Sequence, residues 1–347
     1  MHGMEPSVFL RGKQLSDLLS SQGEVYSSAV GTTCIKAIFD CNLQDEIEYF
    51  RHATISGGIA SLEGEWEAVV VLNQAKNSAS SLRFRSILAD SIRPPTPPIL
   101  YVDNFAASLL SKDEHPIFQT VLDWAGMELS PVPEHDDGSV REVHGAIVGE
   151  SIWVNGSVIG RVSAPVPRLW KDDDGELQFE GIDVKEHGLE HAGDFDPFTA
   201  KIRTGISSPV LPSPQSREVP KSDRAAIIDH NAEKGLRYAH DCLYAVTVGD
   251  DTTKNASSLL YRFSIPVIGI IDGDEDGICQ EDLRYPGSRI LMVRPGCDDI
   301  VGREVAAAIF KDERTLESPP SLESMAAKIR EIAGERLISI HEEKGNR

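Results

Sequence analysis

The stretch that decides the fold is Ile265-Pro266-Val267-Ile268-Gly269-Ile270-Ile271-Asp272-Gly273-Asp274-Glu275-Asp276-Gly277. Its first half is an apolar, β-branched run after a proline, which predicts a strand buried on both faces. Its second half places three aspartates and one glutamate within five residues. Because these like charges repel each other and gain nothing from packing, the cluster favours a bound cation at the end of the strand.

Strands and helices alternate on both sides of this stretch. Further strands are predicted at residues 225–230, 243–248 and 289–293, with helices between them and a last helix starting near Ser321. This alternation is typical of a parallel sheet covered by helices. The sequence therefore assigns residues 221–347 to a C-terminal α/β domain.

The first third of the chain has the same alternation. Strands are predicted at residues 25–30, 68–72 and 99–102, which indicates an N-terminal Rossmann-like domain over residues 1–130. Such a sheet normally begins with a strand, whereas this chain begins with a turn at His2-Gly3. We therefore expect either a further strand upstream of Met1 or the loss of this first strand.

The middle of the chain has a different pattern. Residues 145–162 form a predicted hairpin around Asn155-Gly156, which suits a type I′ turn, and residues 169–184 form a second one. A polar break at residues 131–139 and a Pro/Ser-rich linker at residues 209–220 lie on either side. The predicted fold is α/β, with two Rossmann-like, mainly parallel domains separated by a small, barrel-like antiparallel β module at residues 140–208.

Composition restricts the classes of partner. The chain has 347 residues and a formal net charge of −21, which argues against coating nucleic acid or a membrane surface, because phosphates are bound by surplus Lys and Arg. The five cysteines form no CxxC pair, as expected in a reducing cytosol. No run is long enough to span a membrane, and no signal pattern is present. We expect a cytoplasmic protein whose partners include neither nucleic acid nor membrane.

Acidic turns follow three strands of the last domain. The carboxyl ends of parallel strands lie along one edge of a sheet, where ligands bind. Carboxylate oxygens suit Mg²⁺ or Mn²⁺. The sequence thus predicts a Mg²⁺ (or Mn²⁺) site from five carboxylates: Asp229, Asp250, Asp272, Asp274 and Asp276. The alternative is that Asp and Gly here only favour turns and helix N-caps.

Two other segments are candidates for substrate binding. The run Gly249, Asp250, Asp251, Thr252, Thr253 before a helix would present backbone N–H groups to a phosphate, unless Asp251 or Thr252 simply caps the helix. Lys185 and His187, at the edge of the β module, would reach a substrate in the acidic crevice, or else form a solvated rim. No Walker A loop, HExxH or GxSxG motif occurs, which argues against P-loop chemistry, zinc proteolysis and serine hydrolysis.

Most of the chain resembles a conserved archaeal family of unknown function that is found mainly in methanogens. The resemblance is carried by residues 245–253, 260–263 and 265–274, by the turn at His2-Gly3, and by residues 185–190. It implies an archaeal, cytoplasmic setting and no particular activity.

The last domain is also similar to the topoisomerase–primase (Toprim) fold. That fold has an acidic residue after its first strand, a glycine after its second and Asp-x-Asp after its third, and Asp229, Gly249 and Asp272-Gly273-Asp274 follow in this order. The resemblance implies Mg²⁺ bound for phosphoryl transfer on nucleic acid. Two features depart from it: the first acid is usually glutamate, and the chain is strongly negative.

Two hypotheses of different class follow. The first is a Mg²⁺-dependent enzyme that acts on a phosphorylated small molecule, by phosphoryl transfer or phosphate-ester hydrolysis, in the acidic crevice. The second is a non-catalytic protein that binds a small molecule or a partner, in which the acids only cap and turn. Convergence of the carboxylates on one crevice would favour the first.

Overall fold

The computed structural model describes residues 6–31, 34–49, 51–52, 54–62, 64–132, 140–205, 214–229, 231–273 and 283–343. The fold is mixed α/β, as predicted. The chain divides into two compact units, Met1–Gly205 and Ile206–Arg347. Within the described ranges, no helix combines the length and apolar character needed to cross a membrane.

The described part of the first unit contains six helices and three small sheets. Its described helices are α1 (Pro6–Leu19), α2 (Cys34–Asp40), α3 (Ile55–Ala60), α4 (Ser78–Ser91), α5 (Ile117–Ala125) and α6 (Glu186–Ala192). Its described strands are β1 (Val69–Leu72), β2 (Ile99–Val102), β3 (Ala107–Leu109), β4 (Arg141–Glu142), β5 (Ser151–Val154), β6 (Ser157–Val162), β7 (Arg168–Lys171), β8 (Leu177–Glu180), β9 (Ile182–Val184) and β10 (Ile202–Gly205).

The first of these sheets is smaller than a Rossmann-like sheet. β1 and β2 pair in parallel, as predicted, and β3 adds to β2 antiparallel. The predicted strand at residues 25–30 is wrong, because among the residues that the structure describes this segment forms a single bridge, between Ser28 and Glu48. Its two central serines give a strand there little apolar surface to bury.

The hairpins of the middle segment form two antiparallel sheets of their own, in the orders β10-β5-β6-β9 and β4-β7-β8. Asn155 and Gly156 have φ of 52° and 99°, as the predicted type I′ turn requires. The second hairpin differs from the prediction, because Gly181, at φ 70°, divides its return strand. The first half, β8, pairs with β7, and the second half, β9, crosses to pair with β6.

The second unit is built on one six-stranded sheet. Its described helices are α7 (Ala232–Ala239), α8 (Asp250–Tyr261), α9 (Asp298–Val305), which continues as a π-helical turn (Ala306–Phe310), and α10 (Leu322–Ala333), which is followed by a 3₁₀ turn (Gly334–Arg336). Its described strands are β11 (Arg224–Asp229), β12 (Tyr244–Val248), β13 (Val267–Ile271), β14 (Arg289–Val293), β15 (Thr315–Glu317) and β16 (Leu337–Glu342).

The strand order is β15-β11-β12-β13-β14-β16. The four inner strands are parallel, as predicted, and the two edge strands, which the sequence did not indicate, are antiparallel. The apolar run with which the sequence analysis began forms β13, and the first four residues of this strand are buried. Helix α9 packs closely against β12, because a Cβ on Gly302 would lie 2.5 Å from a methyl carbon of Val248.

Candidate functional site

Three aspartates meet at the carboxyl edge of the six-stranded sheet. Asp250 begins α8 after β12, Asp272 follows β13, and Asp298 begins α9 after β14. Because these three strands are parallel neighbours, their carboxyl ends bring the loops together. One carboxylate oxygen of each aspartate lies within 4.8 Å of the others.

The two carboxylate oxygens of Asp272 differ in their contacts with the described residues. The residue is buried, with 8% of its surface exposed. Its Oδ2 accepts a hydrogen bond from the backbone N–H of Gly296, in the loop that leads to α9. Its Oδ1 is buried and has no hydrogen-bond partner among the residues that the structure describes. Leaving a buried acceptor without a partner reduces the stability of the fold by about 1–3 kcal/mol. A cation or a hydrogen-bond donor that contacts Oδ1 would remove this penalty.

Asp250 holds the loop that carries Asp272. Its Oδ2 accepts hydrogen bonds from the backbone N–H groups of Asp272, at 3.0 Å, and Gly273, at 3.1 Å. Burial raises the pKa of Asp250 above its ordinary value of 3.8, and the two N–H groups oppose this rise. The negative charge of Asp272 and a hydrogen bond between the two side chains add to it. The ionised form of Asp250 is therefore disfavoured overall, despite its two hydrogen bonds.

Helix N-termini contribute partial positive charge to the site. Asp250 is the first residue of the 12-residue α8, and Asp298, which is 9% exposed, is the first residue of α9. Each helix dipole favours a carboxylate at this position. The carboxylates nevertheless repel each other: two unit charges at the 4.8 Å limit of this group cost on the order of 3 kcal/mol at an effective dielectric constant of about 20.

Of the five predicted metal ligands, the structure brings Asp250 and Asp272 together. Asp229 is exposed at the end of β11, on the far side of β12 from β13, and is not one of the three converging aspartates. Asp274 and Asp276 lie outside the described residues. Asp298 was missed by the sequence analysis. Its signal was available, because Asp298 follows β14 as Asp272 follows β13, but it is separated from the strand by four residues.

The predicted phosphate-binding segment lies at the start of α8. Gly249, at φ 92°, is its N-cap residue, so neither Asp251 nor Thr252 caps this helix. Both threonines are buried, and the Thr253 hydroxyl lies 2.8 Å from that of Thr247 on β12. Thr253 therefore joins α8 to the sheet. In the first unit, Lys185 is the N-cap residue of α6 and His187 lies within that helix.

Comparison with known proteins places the chain among archaeal sequences. A family model described as "Uncharacterized protein conserved in archaea (DUF2117)" matches residues 1–313. The chain is similar to "Uncharacterized protein MJ0065" of Methanocaldococcus jannaschii, with 28% identity over 325 residues that cover 87% of this chain and 88% of the relative. No solved structure matches the chain. The comparisons thus lend no support to the Toprim resemblance.

Proposed function

The chain belongs to the family of uncharacterized proteins conserved in archaea, and from its three converging aspartates we propose a Mg²⁺-dependent (or Mn²⁺-dependent) enzyme. Its substrate class is a phosphorylated small molecule, and its reaction is phosphoryl transfer or phosphate-ester hydrolysis. The observation that carries the proposal is the buried Oδ1 of Asp272, which has no hydrogen-bond partner in the described part of the chain and lies beside two further carboxylates. This donor set is of the kind that Mg²⁺ and Mn²⁺ prefer.

Asp250, Asp272 and Asp298 would hold the ion. Asp250 and Asp272 each use Oδ2 to hold a neighbouring loop by its backbone N–H groups. The loops are thereby fixed around the carboxylates, so the donor atoms are preorganised. When bound, the ion would offset phosphate charge and polarise a water molecule for attack on phosphorus.

The surroundings of the three aspartates favour a phosphate only together with a cation. The N-termini of α8 and α9 both start at the site, and free backbone N–H groups at a helix N-terminus attract phosphate. The carboxylates of Asp250 and Asp298 at the same two positions would repel it. A cation between carboxylates and phosphate removes this conflict, which supports a substrate that arrives with, or after, the ion.

The test is release of inorganic phosphate from a panel of phosphorylated small molecules, in Mg²⁺ and in EDTA. We expect release that requires the ion and is abolished by Asp298→Asn or Asp272→Asn. The matched control is Asp229→Asn, which removes an exposed carboxylate at the same sheet edge but outside the three converging aspartates. Ion-independent release, or release that survives both site substitutions, would contradict the proposal.

A second function, binding without catalysis, is favoured by the loop contacts themselves. Three backbone N–H groups, of Asp272, Gly273 and Gly296, are satisfied by two of the aspartates. In this alternative the acids serve to hold the loops, and the crevice binds a small molecule or a partner. Binding of a phosphorylated compound without turnover, unaffected by EDTA, would support it.

A further inference from the structure

A second cluster of potential metal ligands lies in the first unit, on helix α6. His187 and His191 are one helical turn apart, so their side chains share a face of the helix. Their Nε2 atoms are 3.0 Å apart, and their rings meet edge to face with centroids 4.4 Å apart. Both residues are exposed.

Helix α6, which carries the two histidines, packs closely against strand β6. A Cβ on Gly188 would lie 1.9 Å from the backbone oxygen of Val158, so α6 approaches β6 as closely as only glycine allows. Leu189 packs against the apolar core of the two antiparallel sheets. This packing fixes which face of α6 is turned outward, and the two histidines lie on that face.

The separation of the two nitrogens suits a chelated ion. Two imidazole nitrogens that each lie about 2.0–2.1 Å from one ion are about 2.8–3.4 Å apart when the angle at the ion is between 90° and tetrahedral. The observed 3.0 Å falls within this interval. The same distance suits a hydrogen bond, in which one Nε2 carries a proton and the other accepts it. A metal ion can replace that proton, because it needs both imidazoles as neutral donors.

The carboxylate of Glu190 lies near the second ring nitrogen of His187. Glu190 Oε2 lies 3.6 Å from Nδ1 of His187, on the side of the ring away from His191. Carboxylates that accept the remaining N–H of a ligating histidine orient the ring and increase its basicity. At 3.6 Å this contact is longer than a hydrogen bond, so Glu190 would orient His187 only after a small movement of its side chain.

We propose that His187 and His191 form a chelating site for an imidazole-preferring transition-metal ion, with Zn²⁺ as the representative ion. Imidazole suits Zn²⁺, Ni²⁺ and Cu²⁺, whereas Mg²⁺ prefers oxygen ligands. The site thus differs in chemistry from the three aspartates of the second unit, and it does not rest on the function proposed for them.

The experiment is calorimetric titration of Zn²⁺ into the full chain without a polyhistidine tag, with Mg²⁺ in excess throughout. We expect His187→Ala and His191→Ala each to weaken the strongest Zn²⁺ binding at least about tenfold, because even the loss of a group that only orients a ligand costs about 10–100-fold. Glu190→Gln should weaken it by less than about tenfold, because its Oε2 lies 3.6 Å from Nδ1 of His187, beyond hydrogen-bond distance. Both histidines are exposed, so these substitutions leave the fold intact, which circular dichroism checks.

Two control variants separate this site from the rest of the chain. His341→Ala removes an exposed histidine of β16, and Asp229→Asn removes an exposed carboxylate outside the three converging aspartates, and both should bind Zn²⁺ as the wild type does. Absorption bands of bound Co²⁺ should likewise disappear in either α6 variant. Zn²⁺ binding that is equally tight in His187→Ala and His191→Ala would show that the pair is only hydrogen-bonded and would overturn the proposal.

Discussion

At the scale of the residue, the two oxygens of one aspartate have different tasks. Asp250 and Asp272 each use Oδ2 to accept backbone N–H groups of a neighbouring loop. Asparagine can take over this task, because its amide oxygen also accepts hydrogen bonds, but it lacks the negative charge. Substitution to asparagine therefore separates the structural role of each carboxylate from its electrostatic one.

Asp250 offers the clearest pH-dependent test of this separation. Its pKa in the folded protein is raised above 3.8, with burial as the main cause. A group with a raised folded pKa contributes stability that is complete below its unfolded pKa and is lost as the pH rises through the folded one. Without divalent ions, Asp250→Asn should therefore gain stability relative to wild type as the pH rises above about 3.8, reaching a plateau above the folded pKa.

Chemical denaturation at a series of pH values measures this difference. The companion variant Asp250→Ala also loses the two accepted hydrogen bonds, so it should be less stable than Asp250→Asn by about 1–2 kcal/mol. If the difference in the free energy of unfolding between Asp250→Asn and wild type does not change with pH, the charged form of Asp250 is not disfavoured in the folded protein.

At the scale of the element, close packing of α9 on β12 sets the distance between two of the aspartates. Asp250 follows β12 and Asp298 begins α9, and the two elements touch at Gly302 and Val248. A helix with a side chain at position 302 would have to move away from the sheet. The geometry of the site thus depends on a glycine that is itself no part of it.

We expect Gly302→Ala to reduce the free energy of unfolding by about 1–3 kcal/mol, since overpacking a buried contact costs this much. It should also weaken Mg²⁺ binding, because Asp298 moves with the helix. The control is Ile300→Ala on the same helix, where the side chain is 39% exposed and no close contact is added. Titration calorimetry measures the Mg²⁺ affinity, and denaturation measures the free energy of unfolding. If Gly302→Ala is destabilised but binds Mg²⁺ as tightly as wild type, the packing of α9 on β12 does not set the geometry of the site.

Elements were predictable where the local pattern is strong. The buried runs at β2, β13 and β14 and the Asn155-Gly156 turn carry their own signals, because period, burial and turn chemistry are properties of a few adjacent residues. The edge strands β15 and β16 do not, since their pairing is decided by strands far away in the sequence. Asp298 was missed because four residues separate it from β14, so it does not stand in the turn directly after the strand.

At the scale of the whole molecule, the relationship to an archaeal family is confirmed. The negative net charge restricts the classes of partner and does not indicate a reaction. The family model covers residues 1–313, so the resemblance inferred from short motifs extends over both units. The net charge of −21 provides no surplus of cations to displace counterions from a polyanion.

The chain should therefore not bind generic duplex DNA at physiological salt in the absence of divalent ions. Fluorescence anisotropy with a labelled duplex in EDTA measures this directly, with a basic DNA-binding protein as the positive control. Submicromolar binding under these conditions would reveal a local basic surface strong enough to outweigh the net charge.

The most direct test of the three-aspartate site compares the thermal unfolding of wild type and Asp272→Asn, each in EDTA and in Mg²⁺. Asparagine can still accept the N–H of Gly296, but it removes a buried charge from beside two others. In EDTA the variant should therefore melt at a higher temperature than wild type. Mg²⁺ should stabilise the wild type alone, by RT ln(1 + L/Kd), where L is the free ion concentration, or about 2.7 kcal/mol at about a hundredfold excess over Kd. Equal responses of the two proteins to Mg²⁺ would contradict a metal site at Asp250, Asp272 and Asp298.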